Sequence, residues 1–318
     1  MKKIFVTIFV ALFTMGVSMA QDLGQATELF NNAGMTLQEG NETAALDLFQ
    51  KAMDMALQLG DEGTAIVTEC KTVIPQLMLK LGKDMIREGN IDDAIVKIKK
   101  AAEKAAEYEN EGVLLEANDL IGQLKINKLM GVANDLLTAR EFAEAVEAYK
   151  EVIAVDPNNA NAYFRMGQAA NAADNTDVAE EAFIKAKELD ESIAENVDRQ
   201  LSTVYLKKAV ASQRAKDLKG ALENAQKSIE FSDNANAQKI AGLSALGLKQ
   251  NAVAADALKA YLAMSPDARD RVQIVYQLGT ALIAAGQTGE ACGYFKEIAQ
   301  DPKWGEAARY QITVLKCN

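Results

Sequence analysis

Apolar and polar positions recur along most of the chain at one spacing. A small residue is followed twelve places on by an alanine in seven pairs: Ala33 and Ala45, Gly82 and Ala94, Ala133 and Ala145, Gly167 and Ala179, Ala209 and Ala221, Gly242 and Ala254, Gly279 and Ala291. Four places beyond the second member stand Phe49, Ile98, Tyr149, Phe183, Ala225, Leu258 and Phe295, and three further on Ala52, Ala101, Val152, Ala186, Ser228, Tyr261 and Ile298. Spacing of i, i+4, i+7 marks one buried helix face. Between the paired small residues lies a break such as Glu39-Gly40-Asn41, Glu88-Gly89-Asn90, Arg140-Glu141-Phe142 or Gly286-Gln287-Thr288. Glycine supplies a left-handed stop, and Asn, Asp or Thr caps the helix that follows. Each unit is therefore expected to be an antiparallel helical hairpin, with its paired small residues level on facing helices.

These residues resemble the tetratricopeptide repeat, whose pattern W-x2-L-G-x2-Y, A-x3-F and P recurs at about 34 residues. Leu129, Val132, Ala133 and Leu136 fit the first helix of one unit, Ala145 and Tyr149 the second, and Pro157 ends it; Tyr163, Met166 and Gly167 with Ala179, Phe183 and Ala186 fit the next. Gly242 with Ala254 and Pro266, and Leu278-Gly279 with Ala291 and Phe295, repeat the theme. The resemblance implies an all-α fold, an α-solenoid of about seven such hairpins closed by a C-terminal capping helix.

The spacing is uneven. Successive second-helix alanines lie 49, 51, 34, 42, 33 and 37 residues apart, so irregular hairpins with long helices are expected over 21–125 and a regular array over 126–302. Gly63 to Arg87 and Gly112 to Thr138 read as long helices, the former with a boundary or kink just before Pro75, because proline is poorly tolerated inside a helix. Residues 194 to 201 extend the helix pair around Ile193. Ala225 replaces the usual aromatic, which predicts looser packing of its unit. At the C-terminus, residues 303–318 place Trp304, Ala308, Ile312 and Leu315 on one face, the pattern of a cap that closes the core of the last hairpin.

Ahead of the repeats, Lys2 and Lys3, an apolar run from Ile4 to Val17, and Ser18-Met19-Ala20 read as a signal peptide over 1–20, cut between Ala20 and Gln21. A short, lysine-initiated leader points to the periplasm of a Gram-negative cell, and no later stretch is apolar enough for stable membrane insertion. Cleavage takes the net charge from −11 to −13, a surface that repels nucleic acid and anionic headgroups.

The chain has no histidine, which removes imidazole bases and imidazole metal ligands. Nucleotide-binding glycine motifs and the GxSxG and Ser-x-x-Lys nucleophile patterns are absent. Acid pairs such as Asp92-Asp93 and Glu180-Glu181 diverge by about 100° on a helix and cannot face one another. No catalytic residue, metal site or cofactor is expected, and a carboxylate-only glycan-acting enzyme is the remote alternative. Three cysteines are an odd count for an oxidising compartment. Cys292, early in the last second helix, and Cys317, at the end of the cap, are expected to meet as a disulfide, the alternative being two separate buried thiols. Cys70 sits among apolar residues and reads as core.

The resemblance further implies that the first helices line an inner groove where an extended peptide lies. The stripe it selects contains Asn127, Met130 and Asn134, then Asn161, Phe164, Gln168 and Asn171, then Leu206, Val210, Gln213 and Arg214, then Lys239, then Gln273, Tyr276 and Thr280. Amides offer a donor and an acceptor to a peptide backbone, and Phe164 and Tyr276 suit apolar anchors. The alternative is that these polar groups merely keep the inner surface wet. The expected function is a non-enzymatic periplasmic adaptor for an envelope protein or peptide. A self-associating structural protein, a homodimer, is the competing reading.

Overall fold

The computed structural model describes residues 19–317, with side chains from Gln21, so residues 1–18 of the leader expected over 1–20 lie outside the described residues. Among the described residues every regular element is helical. The chain forms two compact units, one ending at Lys128 and the other beginning at Leu129.

The first unit contains α1 (Met19–Gln38), α2 (Glu42–Gln58), α3 (Thr64–Arg87), α4 (Ile91–Glu107) and the beginning of α5 (Glu111–Thr138). The bond between Ala20 and Gln21 lies in the first turn of α1. Each helix packs on the next from α1 to α4, around Phe49, Ile74, Leu77 and Ile98, with Phe30 edge-on to Phe49 at 5.3 Å. The expected boundary at Pro75 is not there: α3 runs unbroken through it. Losing one N–H costs α3 a rung, but Val73, Ile74, Pro75, Leu77 and Met78 are all buried, so burial of both flanks outweighs it.

The second unit takes the end of α5, paired with α6 (Phe142–Val155), then the hairpins α7 (Ala160–Ala172) with α8 (Thr176–Leu189), α9 (Ala194–Arg214) with α10 (Leu218–Phe231), α11 (Ala235–Gly247) with α12 (Asn251–Met264), and α13 (Arg271–Ala284) with α14 (Thr288–Glu297). The last helix, α15 (Gly305–Val314), packs on α14, with Ala308 buried and Trp304, Ile312 and Leu315 against the core, as the cap pattern predicts.

One hydrogen-bond pattern closes these hairpins. At the first turn Asn41 N–H donates to Thr36 O at 3.1 Å while Gly40, at φ +84°, donates to Leu37 O at 3.1 Å. The same pair recurs at Asp217 to Ser212 O (2.9 Å) and Lys216 to Gln213 O (3.0 Å), but there the left-handed residue is a lysine, φ +61°. Arg140, Asp174 and Lys249 also take this conformation without being glycine. Asn41, Asn159, Asn175, Asp217 and Asn234 then cap the following helices through their side-chain oxygens.

The unit with Ala225 is not loose: α9 and α10 are in extensive contact along their length. Tyr205 stacks on Phe231 at 5.6 Å, and Ser228 Oγ donates to Ser202 O at 2.8 Å within the buried seam. The aromatic missing at 225 is replaced by a pair further along the same helices.

Candidate functional site

Within the second unit the first helices form a row of their own: α7 touches α9, and α9 touches α11, whereas no two second helices pack comparably. In a curved stack the row whose members approach one another is the inner one. Taking the small residues Gly167, Ala209, Gly242 and Gly279 as the common register, the position six residues earlier is Asn161, Thr203, Asn236 and Gln273. All four are exposed. Among the described residues the side-chain amides of Asn161, Asn236 and Gln273 have no intramolecular partner. Thr203 and Asn236 lie outside the stripe expected from the sequence and join it only in the register set by Gly167, Ala209, Gly242 and Gly279.

The other stripe residues divide into two kinds. Asn127 in the first unit, and Gln213 and Arg214 on α9, are exposed. Met130 and Gln168 are half-buried. Asn134 is tied inward, its Oδ1 accepting from the Tyr149 hydroxyl at 2.7 Å. Asn171 is buried, and its backbone carbonyl accepts from Lys207 Nζ. Phe164 and Tyr276 stand edge-on to Phe183 and Phe295 at 5.6 Å, and Tyr276 also meets Trp304 at 5.0 Å, so both rings are half-committed to the core. Leu206 and Val210 are half-buried against the same core. Lys239 pairs with Asp270 at 3.0 Å and lies over the Tyr261 ring.

Beside this row is a cleft of about 690 Å³ between the α7–α8 turn, the C-terminal half of α9, and α10, lined by Asp174, Asp177, Lys207, Lys208, Arg214 and Asn224 among others. Lys207 pairs with Asp174, and Lys208 with Asp177 and Glu180, at 2.6 to 2.7 Å. Lysine hydrogen bonds hold the Asp174 and Asp177 carboxyls below the usual carboxylate range. Burial pushes the Tyr205 hydroxyl upward, helped by its bond to Glu180.

Every resolved shift in the described residues moves its group away from neutrality. Carboxylates go down, and lysines, tyrosines and the buried Cys70 thiol go up, the thiol to about 12 through desolvation. Among the described residues no cluster of three or more His, Cys, Asp or Glu side chains is placed to hold a metal ion, and no helix is long and apolar enough to cross a membrane. Cys292 and Cys317 are joined, with Cα atoms 5.6 Å apart.

Models of the repeat described as "TPR repeat" match residues 141–170, and those described as "Tetratricopeptide repeat" match 160–193 and 241–307. The chain is a tetratricopeptide-repeat protein. The matched segments coincide with α6 to α8 and α11 to α15, where the spacing of this tetratricopeptide-repeat chain is most regular. No curated protein matches it significantly. Similar solved structures include a MamA protein, 23% identical, covering 58% of this chain and 94% of that one at a TM-score of 0.37. YrrB, described as a TPR protein with an unusual peptide-binding site, is 17% identical, with 57% and 90% covered and a TM-score of 0.36. A tetratricopeptide repeat protein from Parabacteroides merdae is 14% identical, with 93% and 99% covered and a TM-score of 0.28. Membership rests on the matched repeats and the hairpin geometry.

Proposed function

We propose that this tetratricopeptide-repeat chain is a non-enzymatic adaptor of the periplasm, holding an extended segment of an envelope protein along the first helices of its second unit. The observation that carries this is the row Asn161, Thr203, Asn236 and Gln273, exposed at one repeat position and with its three amides unpartnered inside the chain. Amides spaced along an inner row suit the N–H and C=O groups of an extended backbone. The leader pattern ahead of Gln21 supports the compartment.

Affinity capture with residues 21–318 from envelope extract, run in parallel with the triple variant Asn161→Ala, Asn236→Ala, Gln273→Ala, tests the reading. A partner retained by the native chain and lost by the variant supports it. Equal retention removes the row from the binding face. A second reading, self-association, is favoured by Tyr310 and Val314, which stand one turn apart on α15 at 67% and 56% exposure. Sedimentation of the chain alone distinguishes it, since a stable dimer without partner points to those residues.

A further inference from the structure

Helix α15 is apolar on two sides. Ala308 is buried and Trp304, Ile312 and Leu315 pack on the core, while Tyr310 and Val314, on the outward side, are 67% and 56% exposed. They stand one turn apart, and among the described residues no other helix exposes two large apolar side chains at that spacing. A helix that only closes a repeat stack turns a polar face outward, and an apolar one marks a contact surface.

Charge selects the occupant. Glu306 stands in the first turn of α15 and Lys316 just past its end, both exposed and, among the described residues, in no ion pair. The cations nearer to Glu306 are engaged elsewhere: Lys303 lies over the Trp304 ring, and Arg309 donates to Ala299 O. Two copies of α15 laid antiparallel about a two-fold axis midway between Tyr310 and Val314 bring each tyrosine against the other copy's valine. Glu306 is then six residues from the axis and the partner's Lys316 four, an offset of about 3 Å along the helix that two long side chains span. Parallel pairing would instead set Glu306 against Glu306 and Lys316 against Lys316.

We propose that α15 is the contact between two copies of this chain, an isologous antiparallel pair closed by Tyr310 against Val314 and, at both ends, by Glu306 against Lys316. This rests on the self-association reading and gives it a geometry. None of Asn161, Thr203, Asn236 and Gln273 takes part, so the dimer carries two first-helix rows.

The test is sedimentation equilibrium of residues 21–318, disulfide intact. One helix face is smaller than a standard interface, so half-association is expected at about 10 to 100 µM. Tyr310→Glu with Val314→Glu should stay monomeric, with helix content unchanged. Glu306→Lys and Lys316→Glu should each weaken the dimer about tenfold, because each sets like charges level. An equimolar mixture of those two chains should associate as the native chain does, since the mixed pair restores opposite charges at both ends. A native chain that is monomeric to about 500 µM overturns this proposal and the self-association reading together, leaving the adaptor reading untouched. A dimer indifferent to Tyr310→Glu with Val314→Glu, or a mixture no tighter than either single variant, leaves self-association standing and refutes this geometry. A captured envelope protein lost with that apolar pair, from a chain monomeric alone, gives the face to a foreign partner and refutes it as well.

Discussion

A methyl group placed on Gly279 would lie 2.6 Å from Cζ of Phe295, sixteen residues along the chain. The same relation holds for Gly167, 2.8 Å from the Phe183 ring, and for Gly242, 2.6 Å from Leu258 Cδ2. The small residue of each first helix thus makes room for the large side chain four places beyond the paired alanine. Gly279→Ala and Gly167→Ala should each destabilise by about 1 to 3 kcal/mol, because the ring must move in a packed core. Gly131, on α5, has nothing within 4 Å of the equivalent point. Gly131→Ala should instead stabilise by about 1 kcal/mol, the usual helix-interior gain. Urea midpoints of the three variants check the difference in sign.

The hairpin stops make a second test. Lys249 holds φ +60° and Gly40 φ +84°, both in the left-handed region. A side chain there costs about 1 kcal/mol or more. Lys249→Gly should raise the melting temperature, and Gly40→Ala should lower it.

Cys292 and Cys317 close a segment with a sequence separation of 25 that contains the whole of α15. In the chain-entropy description a loop of this size contributes about 3 to 4 kcal/mol. Cys317→Ser should destabilise the C-terminal end of the array by that order. Thiol titration in denaturant should find one reactive group without reductant, Cys70, and three with it. Three without reductant would refute the bond.

Asp270 accepts from the Tyr261 hydroxyl at 2.7 Å and pairs with Lys239 at 3.0 Å. Those partners, the hydroxyl first, hold its carboxyl below the usual range. Its contribution to stability is therefore present above the ordinary carboxylate range and is lost as pH falls through the lowered value. Burial, with help from Asp270, pushes Tyr261 up to about 12. That contribution is intact below the ordinary tyrosine value near pH 10 and is lost as pH rises toward 12. Asp270→Asn should flatten the acid limb of the stability profile, and Tyr261→Phe the alkaline limb, in denaturation series across pH.

The hairpins were legible because a Gly or Ala facing a bulky side chain is a packing requirement that repeats with the unit. The long α3 and α5 were legible from their apolar faces, but the passage of α3 through Pro75 was not. Burial on both sides of a proline is a tertiary fact that local propensity cannot carry. The stripe of candidate binding residues was half legible. Periodicity places Asn134 and Asn171 on the first helices, yet nothing in it reveals that Tyr149 occupies Asn134 or that Asn171 is buried. Thr203 and Asn236 emerged only when the helices were brought into register. The compensation of Ala225 by Tyr205 and Phe231 joins residues from two helices and has no local signature.

Hydrogen exchange on the complex with its captured partner tests the central claim most directly. Protection on binding should fall on α7, α9, α11 and α13, strongest in the peptides that contain Asn161, Asn236 and Gln273, with α8, α10 and α12 unchanged. Protection confined to the second helices, or to α15, would contradict it.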